Sequence, residues 1–103
     1  MTDYTNNYDW ILQNFNEVMA KQQDLGKALR GAGPIDEKTS QLIQIGAAAA
    51  GKAEGSVHSH VKRALKAGAS PEEIYHAIIL LTSTIGFPAV AAALSWARDI
   101  IEA

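Results

Sequence analysis

Apolar residues recur along this chain at helical intervals. Over residues 7–29, Ile11, Phe15, Val18, Met19, Leu25 and Leu29 keep the spacing of helix faces. RGAGP at 30–34 breaks the pattern. Asp36, whose short carboxylate can accept from backbone N–H groups, marks the next start, and the helix is expected to run through EKTSQLIQIGAAAAG to Gly51. Its alanines and Gly46 carry little bulk, so a neighbouring helix is expected to pack closely. A third helix is predicted over 51–68, with Gly68 as its C-terminal cap. SPEEI carries the sharpest start signal of the chain: Ser70 at the N-cap, Pro71 at the first position and Glu73 closing a capping box. A fifth segment runs from Pro88 to the C-terminus. There is no strand alternation and no internal repeat. The pattern predicts one all-α domain of about five helices over residues 1–103.

The run AIILLTSTIGFPAVAAALSW, residues 77–96, carries no charge over twenty positions, long enough to suggest a membrane span. Thr82, Ser83 and Thr84 make its middle polar, and Gly86-Phe87-Pro88 reads as a helix stop and a fresh start with Pro88 at the first helical position. Two short buried helices are expected instead, and no membrane partner. The first of them places Ile74, Ala77, Ile78, Leu81 and Ile85 on one face, yet Ile79 and Leu80 fall on others. A helix that is apolar nearly all round has to be buried nearly all round. So short a chain can hardly supply that cover alone, which predicts a homo-oligomer.

Composition narrows the partners. In 103 residues, 48% are hydrophobic and 19% charged, which suits a folded domain. The net charge is −2 and the nine Lys and Arg are scattered, so no nucleic acid is expected to bind. There is no cysteine, which excludes disulfides, thiolate metal sites and thiol catalysis in this chain. The polar, acidic start MTDYTNNYDW does not read as a signal peptide, and a cytoplasmic location is expected.

Candidate chemistry gathers in GKAEGSVHSHVKRALKAG, residues 51–68. On a helical wheel, Ala53, Val57, His60, Val61 and Ala64 form one inward stripe, with Ser56 at its edge. His60 is open to two readings: a partly buried histidine held by one hydrogen bond, or a general acid or base. Glu54 and His58 share a different edge and are expected to form an exposed i,i+4 pair. Residues two apart on a helix point roughly 200° away from each other, so His58, His60 and Glu54 are not expected to hold a metal unless another subunit supplies ligands. His76 reads as a surface or interface residue. No cofactor is expected.

The stretch LIQIGAAAAGKAEGSVHSHVKRALKAGASPEEIYHAI resembles the core of the carboxymuconolactone decarboxylase and AhpD-like alkylhydroperoxidase family. Redox members of that family carry Cys-x-x-Cys-x-x-x-His at the start of a helix, and AEGSVHSH has this spacing with both cysteines replaced. HVKRALKAGASPEEI matches the run that follows almost letter for letter. The resemblance covers about residues 35–98. It implies an all-α fold that assembles as a homotrimer or homohexamer. It also implies that Ala53 and Ser56 occupy the two cysteine positions and that His60 is the family histidine. Gln41, twelve residues before Ala53, falls where many members place a glutamate in a proton relay.

In thiol members the second cysteine attacks a peroxide or disulfide and the first resolves the intermediate as an internal disulfide. A serine hydroxyl is far less acidic than a thiol, and Ala53 has no reactive atom. As written, the chain is expected to be inactive in thiol chemistry. Natural loss of the thiols and replacement in an active parent both fit. Three functions stay open. The first is an AhpD-like thiol oxidoreductase scaffold drawing electrons from a small redox protein or dithiol. The second is a cysteine-free decarboxylase in which His60, with His58, moves protons on a small carboxylated lactone. The third is a non-catalytic oligomeric scaffold. The decarboxylase would need an inward cation, and Lys62 and Arg63 lie well away from the inward stripe.

Overall fold

The computed structural model describes residues 4–103, and side chains from Asn7 onward. Every regular element among them is helical: α1 (Tyr4–Asn14), α2 (Asn16–Arg30), α3 (Glu37–Ala50), α4 (Glu54–Lys66), α5 (Pro71–Ile79), α6 (Thr82–Ile85) and α7 (Phe87–Ile101). The expected all-α class is observed. The chain separates into two compact units, Met1–Ile35 and Asp36–Ala103.

In the first unit, the single helix expected over 7–29 is two helices. Phe15 leaves the helical region at φ −136° and ψ 47°, which divides α1 from α2. The two helices pack on one another, Trp10 and Phe15 meet with ring centroids 6.0 Å apart, and Gln23 Nε2 donates to Tyr8 Oη at 3.1 Å. Phe15, Val18, Leu25 and Leu29, four of the residues that carry the helical pattern, remain exposed.

The second unit holds the hydrophobic core. Ile45, Ala48 and Ala49 of α3 meet Val57, Val61 and Ala64 of α4, Ile74 and Ile78 of α5, and Val90, Ala93 and Ala97 of α7. Asp36 caps α3 as expected, its side chain accepting from Thr39 N–H at 2.8 Å. The capping box of α5 is complete: Ser70 Oγ accepts from Glu73 N–H, and Glu73 Oε1 accepts from Ser70 N–H. Lys38 Nζ lies 3.0 Å from Glu73 Oε2 and ties the starts of α3 and α5 together.

The uncharged run at 77–96 is divided into three elements. Helix α5 stops at Ile79, α6 adds one turn, and Gly86, at φ 91°, makes the reversal that only glycine adopts cheaply. Phe87, not Pro88, is the first residue of α7, with Pro88 behind it inside the first turn. None of the helices among the described residues is long and apolar enough to cross a membrane.

Candidate functional site

The site is built by the turn that joins α3 to α4. Ala53 N–H donates to Ala48 C=O at 3.0 Å and Lys52 N–H to Ala49 C=O at 3.1 Å, the paired bonds of a Schellman motif. That motif needs a left-handed residue just past the cap. Lys52 takes the role at φ 54°, while Gly51 stays right-handed at φ −80°. The far end of α4 uses the same motif with the usual residue: Gly68, at φ 98°, follows the cap Ala67, and Ala69 N–H donates to Ala64 C=O. The strained turn at Lys52 sets Ala53 as the N-cap of α4 and puts Ser56 in its first turn.

Val57, Val61 and Ala64 are buried as the inward stripe requires, and His60 is half-buried. Ala53 and Ser56 are exposed, a correction to the single inward stripe expected of them. They stand at the end of α4, where the stripe runs past the packed part of the helix.

His60 Nδ1 lies 2.7 Å from Oε1 of Gln41, which is fully buried on α3. One turn earlier on α3, Glu37 Oε1 accepts from Gln41 Nε2 at 2.8 Å. A carboxylate only accepts, so the amide nitrogen of Gln41 has to face Glu37 and its oxygen has to face His60. His60 therefore donates from Nδ1, and in the neutral ring Nε2 bears the lone pair. The arrangement fixes which nitrogen can take a proton. Glu37 escaped the sequence reading, although its i,i+4 spacing from Gln41 was a usable signal.

His58 differs from its expectation. It is 1% exposed rather than half of a surface pair with Glu54, and its Nε2 lies 3.0 Å from Asp99 Oδ2 on α7. Helix α7 covers that edge of α4, which the sequence of α4 alone does not reveal. Glu54 is exposed in the first turn of α4, and His76 is exposed at the end of α5. A separate open groove of about 500 Å³ is lined by Tyr75, Phe87, Ala91, Leu94, Ser95, Arg98 and Glu102, so it includes none of the residues singled out on α4. Burial raises the Tyr75 hydroxyl above its ordinary pKa, with the Glu102 carboxylate adding to the effect.

A family model described as the carboxymuconolactone decarboxylase family matches residues 16–99. The chain belongs to this family. The match takes in α2 to α6 and most of α7, and with them Gln41, Ala53, Ser56 and His60. Comparison with curated proteins gives no match, and comparison with solved structures gives none either. Family membership accords with the helical fold and supplies a scaffold common to decarboxylase-like and AhpD-like members.

Proposed function

We propose that this chain is an AhpD-like thiol-oxidoreductase scaffold that retains the proton-handling half of its site and lacks the thiol half. The 2.7 Å contact between His60 Nδ1 and Gln41 Oε1 carries the reading. It orients the family-position histidine on the helix whose start holds Ala53 and Ser56 at the two cysteine positions. With cysteines there, His60 Nε2 would accept the proton of the second thiol. The thiolate would attack the peroxide O–O bond, taking one oxygen as sulfenic acid and releasing water or an alcohol. The first thiol would then expel water from the sulfenic acid to close the disulfide. A small redox protein or a dithiol would reduce it back. Ser56 supports neither step, so the chain as written is inactive in this chemistry.

The deciding experiment is the double replacement Ala53→Cys, Ser56→Cys, assayed for dithiol-dependent peroxide turnover beside the parent. Turnover by the replaced chain alone supports the reading. Turnover by neither chain rejects it.

The second reading, a cysteine-free decarboxylase, rests on the same histidine being held in one tautomer without any sulfur. It predicts turnover of a small carboxylated lactone by the parent chain with loss in His60→Ala. If neither activity exists, a non-catalytic scaffold remains.

We also propose that the chain works as a homo-oligomer, a trimer or hexamer. Ile43, Ile79, Leu80 and Phe87 are large apolar residues with 54, 44, 62 and 60% of their surface exposed, more than a lone subunit needs to leave in water. Light scattering behind size exclusion tests this, and a monomer at micromolar concentration would overturn it.

A further inference from the structure

Glu54 and His58 stand one turn apart on one edge of α4, and Asp99 of α7 meets them there. One ring nitrogen of His58 and one oxygen from each carboxylate all lie within 4.8 Å of one another. The histidine is buried at 1% exposure, whereas Glu54 and Asp99 face solvent. The cluster therefore has a fixed inner donor and two movable outer ones, drawn from two helices that the core holds together. We propose that Glu54, His58 and Asp99 bind one divalent transition-metal ion of the zinc type.

The donor set selects the class of ion. Imidazole nitrogen with carboxylate oxygen suits zinc, cobalt or nickel, whereas calcium and magnesium prefer all-oxygen shells. Metal–nitrogen and metal–oxygen bonds of about 2.0–2.2 Å put tetrahedral ligand atoms roughly 3.4 Å apart. The His58–Asp99 pair is already at 3.0 Å, and an oxygen of the exposed Glu54 lies within 4.8 Å of both donors. Charge points the same way. Two carboxylates converge on one imidazole, and a divalent cation neutralises both. The metal takes the place of the hydrogen bond between His58 Nε2 and Asp99 Oδ2: the single proton of the neutral ring moves to Nδ1, and the lone pair of Nε2 is given to the metal. Water from the solvent side completes a four-coordinate shell. This site uses neither Gln41 nor His60, which lies on another face of α4, and it does not depend on the proposed redox reading.

Titration of the full chain with Zn²⁺ by calorimetry, after chelation and desalting, tests the proposal. The expected result is one ion per chain, with affinity lowered on the order of tenfold or more by Glu54→Gln and by Asp99→Asn. Both residues are exposed, and Asn at 99 can still present an oxygen to His58 Nε2 while removing the charge, so the fold is expected to hold and circular dichroism checks it. Zn²⁺ is expected to raise the melting temperature of the parent and not that of Asp99→Asn, and Ca²⁺ is expected to raise neither. His76→Ala is expected to bind as the parent does. No saturable binding of Zn²⁺ overturns the proposal, leaving a plain His58–Asp99 hydrogen bond. Binding that survives both carboxylate variants, or an equal response to Ca²⁺, also overturns it.

Discussion

Gln41 and His60, nineteen residues apart, meet at 2.7 Å across α3 and α4, and Glu37 holds the Gln41 amide so that its oxygen faces the ring. The contact joins a fully buried amide to a half-buried imidazole. His60 is thereby given one tautomer rather than two.

The first prediction concerns that tautomer. Nitrogen-15 NMR of the parent should show neutral His60 protonated at Nδ1, and Gln41→Leu should abolish the preference. The variant should also lose about 1–3 kcal/mol of stability, because the bond is buried and the ring loses its acceptor. A parent spectrum with the proton on Nε2 would contradict the assignment of the Gln41 amide.

Lys52 is the strained residue of the α3–α4 turn, at φ 54° in a position that favours glycine. Lys52→Gly should therefore stabilise the chain by roughly 1 kcal/mol, the left-handed penalty outweighing the added freedom of the unfolded glycine. Urea unfolding gives the number. A loss of stability would show that the lysine side chain makes a compensating contact.

Gly46 tests the expectation that small residues on α3 serve close packing. A Cβ built there would lie 3.8 Å from the Leu81 methyl groups, ordinary van der Waals contact. Gly46→Ala should fit and stabilise by about 0.5–1 kcal/mol, the helix-interior cost of glycine. A destabilised Gly46→Ala would mean that Leu81, just ahead of α6, cannot yield even slightly.

Acid should weaken the second unit through its helix starts. The Ser70 backbone N–H, with the Lys38 ammonium after it, holds the Glu73 carboxyl below its ordinary pKa, and hydrogen bonding from Thr39 does the same for Asp36. Groups with depressed folded values bind fewer protons when folded. Their contribution is present above the ordinary carboxylate range and is lost as pH falls below it, through the depressed values. Melting temperatures should drop over that interval, and Glu73→Gln should flatten the drop. An identical acid limb in the variant would exclude Glu73 as a source.

What could be read from the chain was whatever depends on neighbours in sequence. Apolar spacing marked α3, α4 and α5, and Asp36, Ser70, Pro71, Glu73 and Gly68 marked their ends, because capping is settled within four or five residues. The family resemblance brought in Gln41 at a proton-relay position but did not say which side chain it meets. Periodicity was blind to the bend at Phe15, whose backbone departure leaves the apolar spacing intact.

Tertiary structure alone decided which partner each polar side chain met. His58 and Glu54 look like a surface pair when α4 is considered by itself. Asp99 arrives from forty-one residues away, and the packing of α7 on α4 buries the histidine against it. No local rule encodes that meeting, because it follows from how Val57, Val61, Ala93 and Ala97 bury their surfaces in one core. Local chemistry therefore determined the helices and their ends. The packing of those helices against one another determined which histidine is held at a carboxylate and which at an amide.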